Sequence, residues 1–206
     1  MCINGNVQLS NCRFSNFNQG AVHLVNKRYN RVQVQNCDIF ACKLVGIYCQ
    51  GVNAEQVIQR CRIHSVQGPG VKVQRGNKAK IQLCDIVDCN YGVLAISSDP
   101  YIFMNHISKS QESGILIKTK NLLRSDAIIK YNTIEKNLED GIVLEGAENY
   151  TRVEKNHHIN NNRKAGIRIS EQANVKILNN RIFGNYGQGI LAQESASAYI
   201  EKNEIF

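Results

Sequence analysis

The stretch NNRIFGNYGQGILA, residues 179–192, contains the pattern that decides the fold of this chain. A short apolar segment follows a small polar residue, a polar stretch leads to Gly189, and a second apolar segment follows that glycine. The same frame recurs in NTIEKNLEDGIVL, residues 132–144, and in NCDIFACKLVGIYC, residues 36–49. Self-similarity at a period in the range of about 20–50 residues predicts a solenoid.

Two anchor columns stay in step along the chain. The apolar anchors are Phe14, Ile39, Ile63, Ile86, Ile107, Ile134, Ile159, Ile182 and Ile205. The glycine anchors are Gly20, Gly46, Gly70, Gly92, Gly114, Gly141, Gly166 and Gly189. Apolar residues alternate with variable ones after each glycine, which is the period of a strand with one buried face. The chain is therefore predicted to be all-β, a single solenoid domain over residues 1–206 with about eight coils of ~24 residues and no evident cap at either end.

A column of small polar residues predicts side-chain ladders inside a tight turn. Two residues before the apolar anchor stand Cys12, Cys37, Cys61, Cys84, Asn105, Asn132, His157, Asn180 and Asn203. His157 is accordingly interpreted as a hydrogen-bonded ladder member. One thiol per coil suits a reduced core better than disulfides or a zinc site, so no metal and no cofactor are expected. Abundant unpaired thiols indicate a reducing compartment, and we expect a cytoplasmic location, with the cytoskeleton as one option.

The segments NNRIFGNYGQGI and KYNTIEKNLEDGIVL resemble the repeats of the pectin-lyase-like superfamily of CASH type. A finer likeness is to its non-enzymatic eukaryotic branch, the β-helix repeats of F-box-only proteins and of the Shc SH2-domain-binding protein. The resemblance implies a right-handed parallel β-helix, as parallel crossover connections nearly always are. This fold hosts lyases, hydrolases, adaptors and scaffolds, so the likeness alone does not select a function.

Enzymatic activity is the most specific alternative to a binding or scaffolding function. Enzymes of this superfamily place Asp, Lys and Arg together in a groove on one sheet, whereas the acidic residues here are scattered: Asp38 and Asp85 share a column interrupted by basic residues. We therefore predict a non-catalytic scaffold or protein-interaction module within a larger assembly, and no enzyme. A polysaccharide lyase or hydrolase, which would depend on Asp140 or Glu139, remains open. So does the substrate-recognition part of a ubiquitin-ligase adaptor, which follows only from the F-box resemblance.

Two surfaces are candidate contact sites. Positions two residues after each glycine, Val22 among them, should point outward, yet they are largely apolar, and contiguous apolar surface indicates an interface. The predicted protein interface consists of Tyr48, Leu94, Ile96, Leu116, Val143 and Leu191. A predicted basic edge consists of Lys27, Arg28, Arg31, Arg75, Lys78, Lys80, Lys118, Lys120 and Arg124.

The formal net charge is +8, which favours acidic partners. We expect protein partners in a larger complex, with an acidic surface such as a tubulin tail as one option. Nucleic acid is disfavoured because no recognised motif accompanies the basic residues and aromatic residues are not interleaved with them. No apolar run is long enough to span a membrane.

Overall fold

The structure is a computed structural model that describes residues 1–25, 31–121 and 123–206. Within these residues the chain forms strands and turns, and none of its elements is a helix that could cross a membrane. The strands are, in chain order, β1 (Cys2–Ile3), β2 (Val7–Ser10), β3 (Arg13–Ser15), β4 (Gly20–Val25), β5 (Val32–Gln35), β6 (Asp38–Phe40), β7 (Val45–Gln50), β8 (Gln56–Gln59), β9 (Arg62–Val66), β10 (Val71–Gln74), β11 (Lys80–Gln82), β12 (Asp85–Cys89), β13 (Val93–Ile96), β14 (Tyr101–Phe103), β15 (His106–Ser108), β16 (Ile115–Lys118), β17 (Ile128–Lys130), β18 (Thr133–Glu135), β19 (Ile142–Glu145), β20 (Arg152–Glu154), β21 (His158–Asn160), β22 (Ile167–Ser170), β23 (Asn174–Leu178), β24 (Arg181–Phe183), β25 (Ile190–Ala192), β26 (Ser197–Glu201) and β27 (Glu204–Ile205).

Every third strand belongs to the same sheet, so the chain winds as a three-sided coil. Sheet A has the order β1-β4-β7-β10-β13-β16-β19-β22-β25 and contains the strands that follow the glycine anchors. Sheet B has the order β2-β5-β8-β11-β14-β17-β20-β23-β26, and sheet C has the order β3-β6-β9-β12-β15-β18-β21-β24-β27. Neighbouring strands pair in parallel, as Ile115 with Ile142 in sheet A shows. This topology confirms the prediction of an all-β solenoid of about eight coils.

The core is a stack of inward apolar side chains. The apolar anchors lie in sheet C, where Ile39, Ile63 and Ile86 are 0 % exposed. Inward residues of sheet A, such as Ile115 and Ile117, are also 0 % exposed. Burying an aliphatic side chain of this size contributes about 1.5–3 kcal/mol. A single coil could not bury these faces alone, and stacking makes the core continuous.

The turn between sheets B and C contains the predicted ladder. The Nδ2 group of Asn132 donates to Oδ1 of Asn156 over 3.0 Å, and Asn156 donates in the same way to Asn180 over 2.8 Å. In the earlier coils Cys37, Cys61 and Cys84 occupy the same column as buried free thiols. The placement of His157 in this column is wrong. Its coil has one additional residue before Ile159, so Asn156 takes the ladder position and His157 is exposed.

The outward assignment of Val22 is wrong as well. Val22 pairs in register with Ile47 and is 0 % exposed. His23 is the outward residue, because Gly20 lies one position earlier in its coil than Gly46 does. Glycine at the other anchors allows the coils to approach closely. A Cβ at Gly141 would lie 2.6 Å from the carbonyl oxygen of Gly166 in the next coil.

Candidate functional site

The outward face of sheet A contains the predicted interface residues. Tyr48, Leu94, Leu116, Val143 and Leu191 occupy one column of this face. Ile96 lies in the adjacent column, beside Lys118. None of the six is fully exposed, and Val143 is only 1 % exposed. The structure thus places these residues on one face, where their role in binding stays a prediction.

Arg168 interrupts this apolar column with a charge. It follows Val143 in register, and its guanidinium contacts carboxylates from the preceding coil. Its Nε donates to Oδ2 of Asp140 over 2.9 Å, and its NH1 group donates to Oε1 of Glu145 over 3.2 Å. The other oxygen of Asp140 accepts the backbone N–H of Ala165 over 2.9 Å, so this carboxylate is fixed at both oxygens. Asp140 is almost fully buried, and Arg168 is about three-quarters buried.

A second cation extends this network. Nζ of Lys118 donates to Oε2 of Glu145 over 2.9 Å and to Oε1 of Glu171 over 3.0 Å. Five charged side chains therefore interact on one face, and we call this set the Arg168 cluster: Lys118, Asp140, Glu145, Arg168 and Glu171.

The cluster holds both cations in their charged forms. Burial alone would lower the pKa of Arg168, but the hydrogen bond and charge of Asp140, with the charge of Glu145, outweigh burial and raise it. Burial likewise opposes the charge of Lys118, and the hydrogen bonds that it donates to Glu145 and Glu171 raise the pKa of this lysine above its ordinary value. Such fixed cations can bind an anionic group of a ligand without a further change of protonation.

Tyr91 adds a proton donor to the same edge of sheet A. It precedes Gly92 as Asp140 precedes Gly141, two coils further along. Burial raises the pKa of the Tyr91 phenol, and the charges of Glu112, Glu145 and Glu139 raise it further, against the opposing effect of Arg168. The raised pKa makes this phenol a weaker acid than an ordinary tyrosine, and it keeps its proton at neutral pH.

A depression of about 430 Å³ lies beside Arg168, and we call it the Arg168 depression. Its lining includes Asp140, Arg163, Lys164, Arg168, Gln188 and Leu191. Three cations and one carboxylate give this lining an excess of positive charge. Glu139, the second acidic residue named for the enzyme alternative, lies outside the lining and forms an ion pair with Lys164. The depression therefore offers cations, amide groups and an apolar surface to an anionic ligand.

The sequence did contain a signal for this cluster. Lys118 and Glu145 both stand four residues after a glycine anchor, so they share an outward column, and Arg168 is one of two charged residues, with Lys72, in the otherwise apolar column beside them. The expectation that acidic residues are scattered is therefore wrong for sheet A, since Asp140 and Glu145 meet at Arg168.

The predicted basic edge is only partly assembled. Lys27 and Arg28 lie outside the described residues. Arg75, Lys78 and Lys120 are exposed near the turn between sheets A and B. The edge is partly neutralised, because Lys80 pairs with Glu55, Lys118 belongs to the Arg168 cluster and Arg124 binds both oxygens of Asp126. Arg31, which precedes β5, is exposed. Binding of an acidic partner at this edge stays a prediction.

Sheet C presents a second charged face. His106 lies between two carboxylates, with Nδ1 at 2.9 Å from Oδ1 of Asp85 and Nε2 at 3.3 Å from Oε1 of Glu135. These contacts connect three successive coils along the outward face. Among the described residues, no group of three or more His, Cys, Asp or Glu side chains has the arrangement of a metal site. We interpret the contacts of His106 with Asp85 and Glu135 as interactions that hold neighbouring coils together.

Comparisons with known proteins identify a family for this sequence and several solved structures with a similar fold. The sequence matches the family described as the right-handed β-helix region over residues 1–105, 53–157 and 79–206. These overlapping matches confirm the right-handed solenoid, while the finer likeness to F-box-only repeats has no counterpart among the comparisons. No curated protein sequence matches the chain.

Solved structures with this fold include enzymes of carbohydrate chemistry. The periplasmic alginate epimerase AlgG superposes with a TM-score of 0.66 at 13 % identity, covering 100 % of this chain and 62 % of the epimerase. The mannuronan C-5 epimerase AlgE4 A-module of Azotobacter vinelandii gives 0.54 at 13 % identity, covering 97 % and 68 %. The enzymatically active domain of tailspike protein 2 from bacteriophage CBA120 gives 0.52 at 10 % identity, covering 100 % and 41 %. Likeness at these identities shows the shared fold.

These neighbours correct three expectations. The prediction of a non-catalytic scaffold and the prediction that the chain is no enzyme are contradicted by these neighbours, because solved proteins that share its coil include epimerases and an enzymatically active domain. The lyase or hydrolase alternative fits them better. The prediction of a cytoplasmic location is contradicted too, since AlgG is a periplasmic protein.

Proposed function

This chain belongs to the right-handed β-helix family, and from that premise we propose that it is an enzyme acting on an acidic polysaccharide. The supporting observation is the Arg168 cluster, in which a largely buried guanidinium contacts two carboxylates beside a cationic depression. The proposed reaction is the lyase type, in which a base removes the proton next to the carboxylate of a uronate unit. The C-5 epimerase among the neighbours inverts that same carbon, which also requires removal of its proton.

The roles follow from the positions of the side chains. Arg168 lines the depression and presents a planar cation that matches a carboxylate in shape and charge. Neutralising the substrate carboxylate acidifies the adjacent C–H group, because the negative charge of the intermediate spreads onto that carboxylate. Asp140 lines the same depression and is the proton acceptor, through a lone pair that the hydrogen bonds from Arg168 and Ala165 leave free, while Glu145 holds the other side of the guanidinium. We assign proton donation to the leaving group to Tyr91, which takes the position before its glycine anchor that Asp140 takes two coils later.

The apolar column acquires a role in this proposal. Leu191 lines the depression, and Leu116 continues the column at the surface of an earlier coil, whereas Val143 is 1 % exposed and lies beneath the surface between them. A strip of aliphatic side chains along the solenoid axis can support the C–H faces of successive sugar rings. The polymer would then lie across the coils of sheet A, with one uronate carboxylate at Arg168.

The test is an activity assay with isosteric variants. Purified chain is incubated with alginate, polygalacturonate and a neutral glucan, and products are followed by ultraviolet absorbance of the new double bond, by reducing ends and by NMR at C-5. We expect a product from an acidic polymer only. Asp140→Asn should lower kcat/KM by about 10²–10⁴-fold, the usual contribution of a positioned base. Arg168→Lys should lower kcat/KM by about 10²-fold, because an ammonium group cannot hold a carboxylate through two parallel hydrogen bonds as a guanidinium does.

Arg152→Lys is the matched control. Arg152 lies on sheet B, where its Nε donates to Oε1 of Glu154 over 2.7 Å, so the exchange disturbs a comparable ion pair away from the depression. It should leave the rate within about twofold of the unaltered chain. Absence of any product from all acidic polymers, or full activity of Asp140→Asn, would refute the proposal.

The finer resemblance to the β-helix repeats of F-box-only proteins stays a prediction about ancestry. It is independent of the reaction proposed for sheet A, because the fold alone does not determine chemistry.

A further inference from the structure

The turn between sheets B and C departs from the repeat at His157. In the other coils one residue separates the ladder residue from the apolar anchor, whereas His157 and His158 both stand between Asn156 and Ile159. The additional residue bulges outward: the backbone N–H of His157 donates to the carbonyl of Asn132 over 3.0 Å, and that of His158 reaches the same oxygen at 3.5 Å. Extra residues of this kind recur next to functional sites, where they redirect a side chain.

The bulge forms one wall of a depression of about 630 Å³, which we call the corner depression. It lies on a different side of the solenoid from the Arg168 depression, between sheets B and C. Its cations are Lys155, Arg181 and Lys202, and its one carboxylate is Glu204. Arg181 pairs with Glu204 at 3.6 Å and Lys202 with Glu201 at 3.1 Å, whereas no ion pair involves Lys155 within residues 1–25, 31–121 and 123–206. The lining therefore has an excess of positive charge.

An aromatic row leads into this depression. The ring of Tyr131 lies 5.7 Å from that of Phe103, with the two planes nearly perpendicular, and 5.6 Å from the ring of His157. Tyr131, Lys155 and Lys202 all have positive φ at the same turn of their coils, 58°, 51° and 53°. Because each coil has one residue in this conformation at this turn, the side chains point outward and form a row along the solenoid. A row of rings followed by cations suits a linear ligand with apolar faces and regularly spaced negative charges.

We propose that the corner depression binds a second segment of an acidic sugar chain, as a non-catalytic subsite. Uronate carboxylates would contact Lys155 and Lys202, and the C–H face of a pyranose ring would lie on Tyr131 and His157. The choice of a sugar as the occupant rests on the proposed function. The cations and rings themselves would also suit a single-stranded nucleic acid, which is one outcome of the test.

Binding is measured by calorimetry with an oligogalacturonate on the full chain carrying Arg168→Ala, so that the other depression contributes little. Lys155→Gly with Lys202→Gly removes two cations at positions whose positive φ glycine adopts freely. We expect affinity to fall about fivefold, the effect of two exposed charges. The charge reversals Lys155→Glu and Lys202→Glu should weaken it further.

Lys109→Gly with Lys136→Gly is the matched control. Both lysines are exposed with φ of 57° at the turn between sheets C and A, and Lys136 pairs with a neighbouring glutamate as Lys202 does. This pair should leave affinity unchanged. No saturable binding by the Arg168→Ala chain, an equal loss in both pairs, or tighter binding of a single-stranded oligonucleotide at the same lysines would overturn the proposal.

The outcomes separate the two proposals. Turnover of a polyuronate without binding at the corner leaves the reaction at Arg168 standing and removes the subsite. Binding that depends on Lys155 and Lys202, with no product from any acidic polymer, supports the subsite and removes the reaction.

Discussion

Truncation of one ladder amide tests how the solenoid is held together. In Asn132→Ala the side chain loses five hydrogen bonds and is replaced by a methyl group at a site that is 0 % exposed. Each bond contributes about 0.5–1.5 kcal/mol net, and a buried donor left without an acceptor costs about 1–3 kcal/mol. The donor at risk is the backbone N–H of Asn105, which now donates to Oδ1 of Asn132 over 2.9 Å. We expect a loss of about 3–5 kcal/mol in the free energy of unfolding.

The measurement is guanidinium unfolding followed by circular dichroism, with a thermal melt alongside. For a chain of this size the loss corresponds to a fall in Tm of about 10 °C. Asn174→Ala is the control, because Asn174 is exposed at the start of a strand and should change stability by no more than about 0.5 kcal/mol. A loss below about 1 kcal/mol in Asn132→Ala would refute the reasoning, since it would mean that ladder amides exchange their partners for water without cost.

Two further predictions concern titration and thiol reactivity. Burial opposes the charge of Glu135, but hydrogen bonds from His106 and Lys136 outweigh it and lower the pKa of this carboxyl. Its stabilisation is therefore present above the unfolded pKa of about 4.3 and is lost as pH falls through the lower folded value, so Glu135→Gln should flatten the acid limb of the stability profile; an unchanged limb would contradict this. Cys2 is exposed and should react at once with a thiol reagent, whereas Cys49 is 0 % exposed, its pKa is raised by burial, and it should react only after unfolding. Rapid reaction of more than two thiols in the native chain would contradict the buried thiol column.

The fold was predictable from sequence because every coil of a solenoid contains the same pattern of residues. The apolar and glycine anchors reappear in every coil, so an error in one coil leaves the others aligned. His157 shows the limit of this method. Counting back from Ile159 assumed a fixed spacing, and one inserted residue moved the ladder position to Asn156. Only the hydrogen bonds of the folded chain identify which residue of such a coil points inward.

Pattern analysis could place Lys118, Glu145 and Arg168 on one face of sheet A, but it could not show which of their side chains meet, for a different reason. Asp140 and Glu145 are separated from Arg168 by 28 and 23 residues, and they meet it only because neighbouring strands pair in one register. Register can be inferred from the anchors, but the direction in which a long side chain extends cannot. Asp140 in particular belongs to the turn before its glycine, a segment whose residues vary in number and have no fixed period.

The side-chain amide dipoles of the ladder point in one direction along the solenoid axis. In each of Asn105, Asn132, Asn156 and Asn180 the oxygen accepts from the preceding coil, and the amino group donates to the amide oxygen of the following coil as well as to a backbone carbonyl of the preceding one. The amide dipoles therefore add along the axis, as peptide dipoles do in an α-helix, and neighbouring bonds polarise one another. Their positive ends point toward the later coils, where Asn156 and Asn180 lie beneath the corner depression. Half of the solenoid thus acts as an oriented electrostatic element, and the Cys half, which lacks these amides, does not.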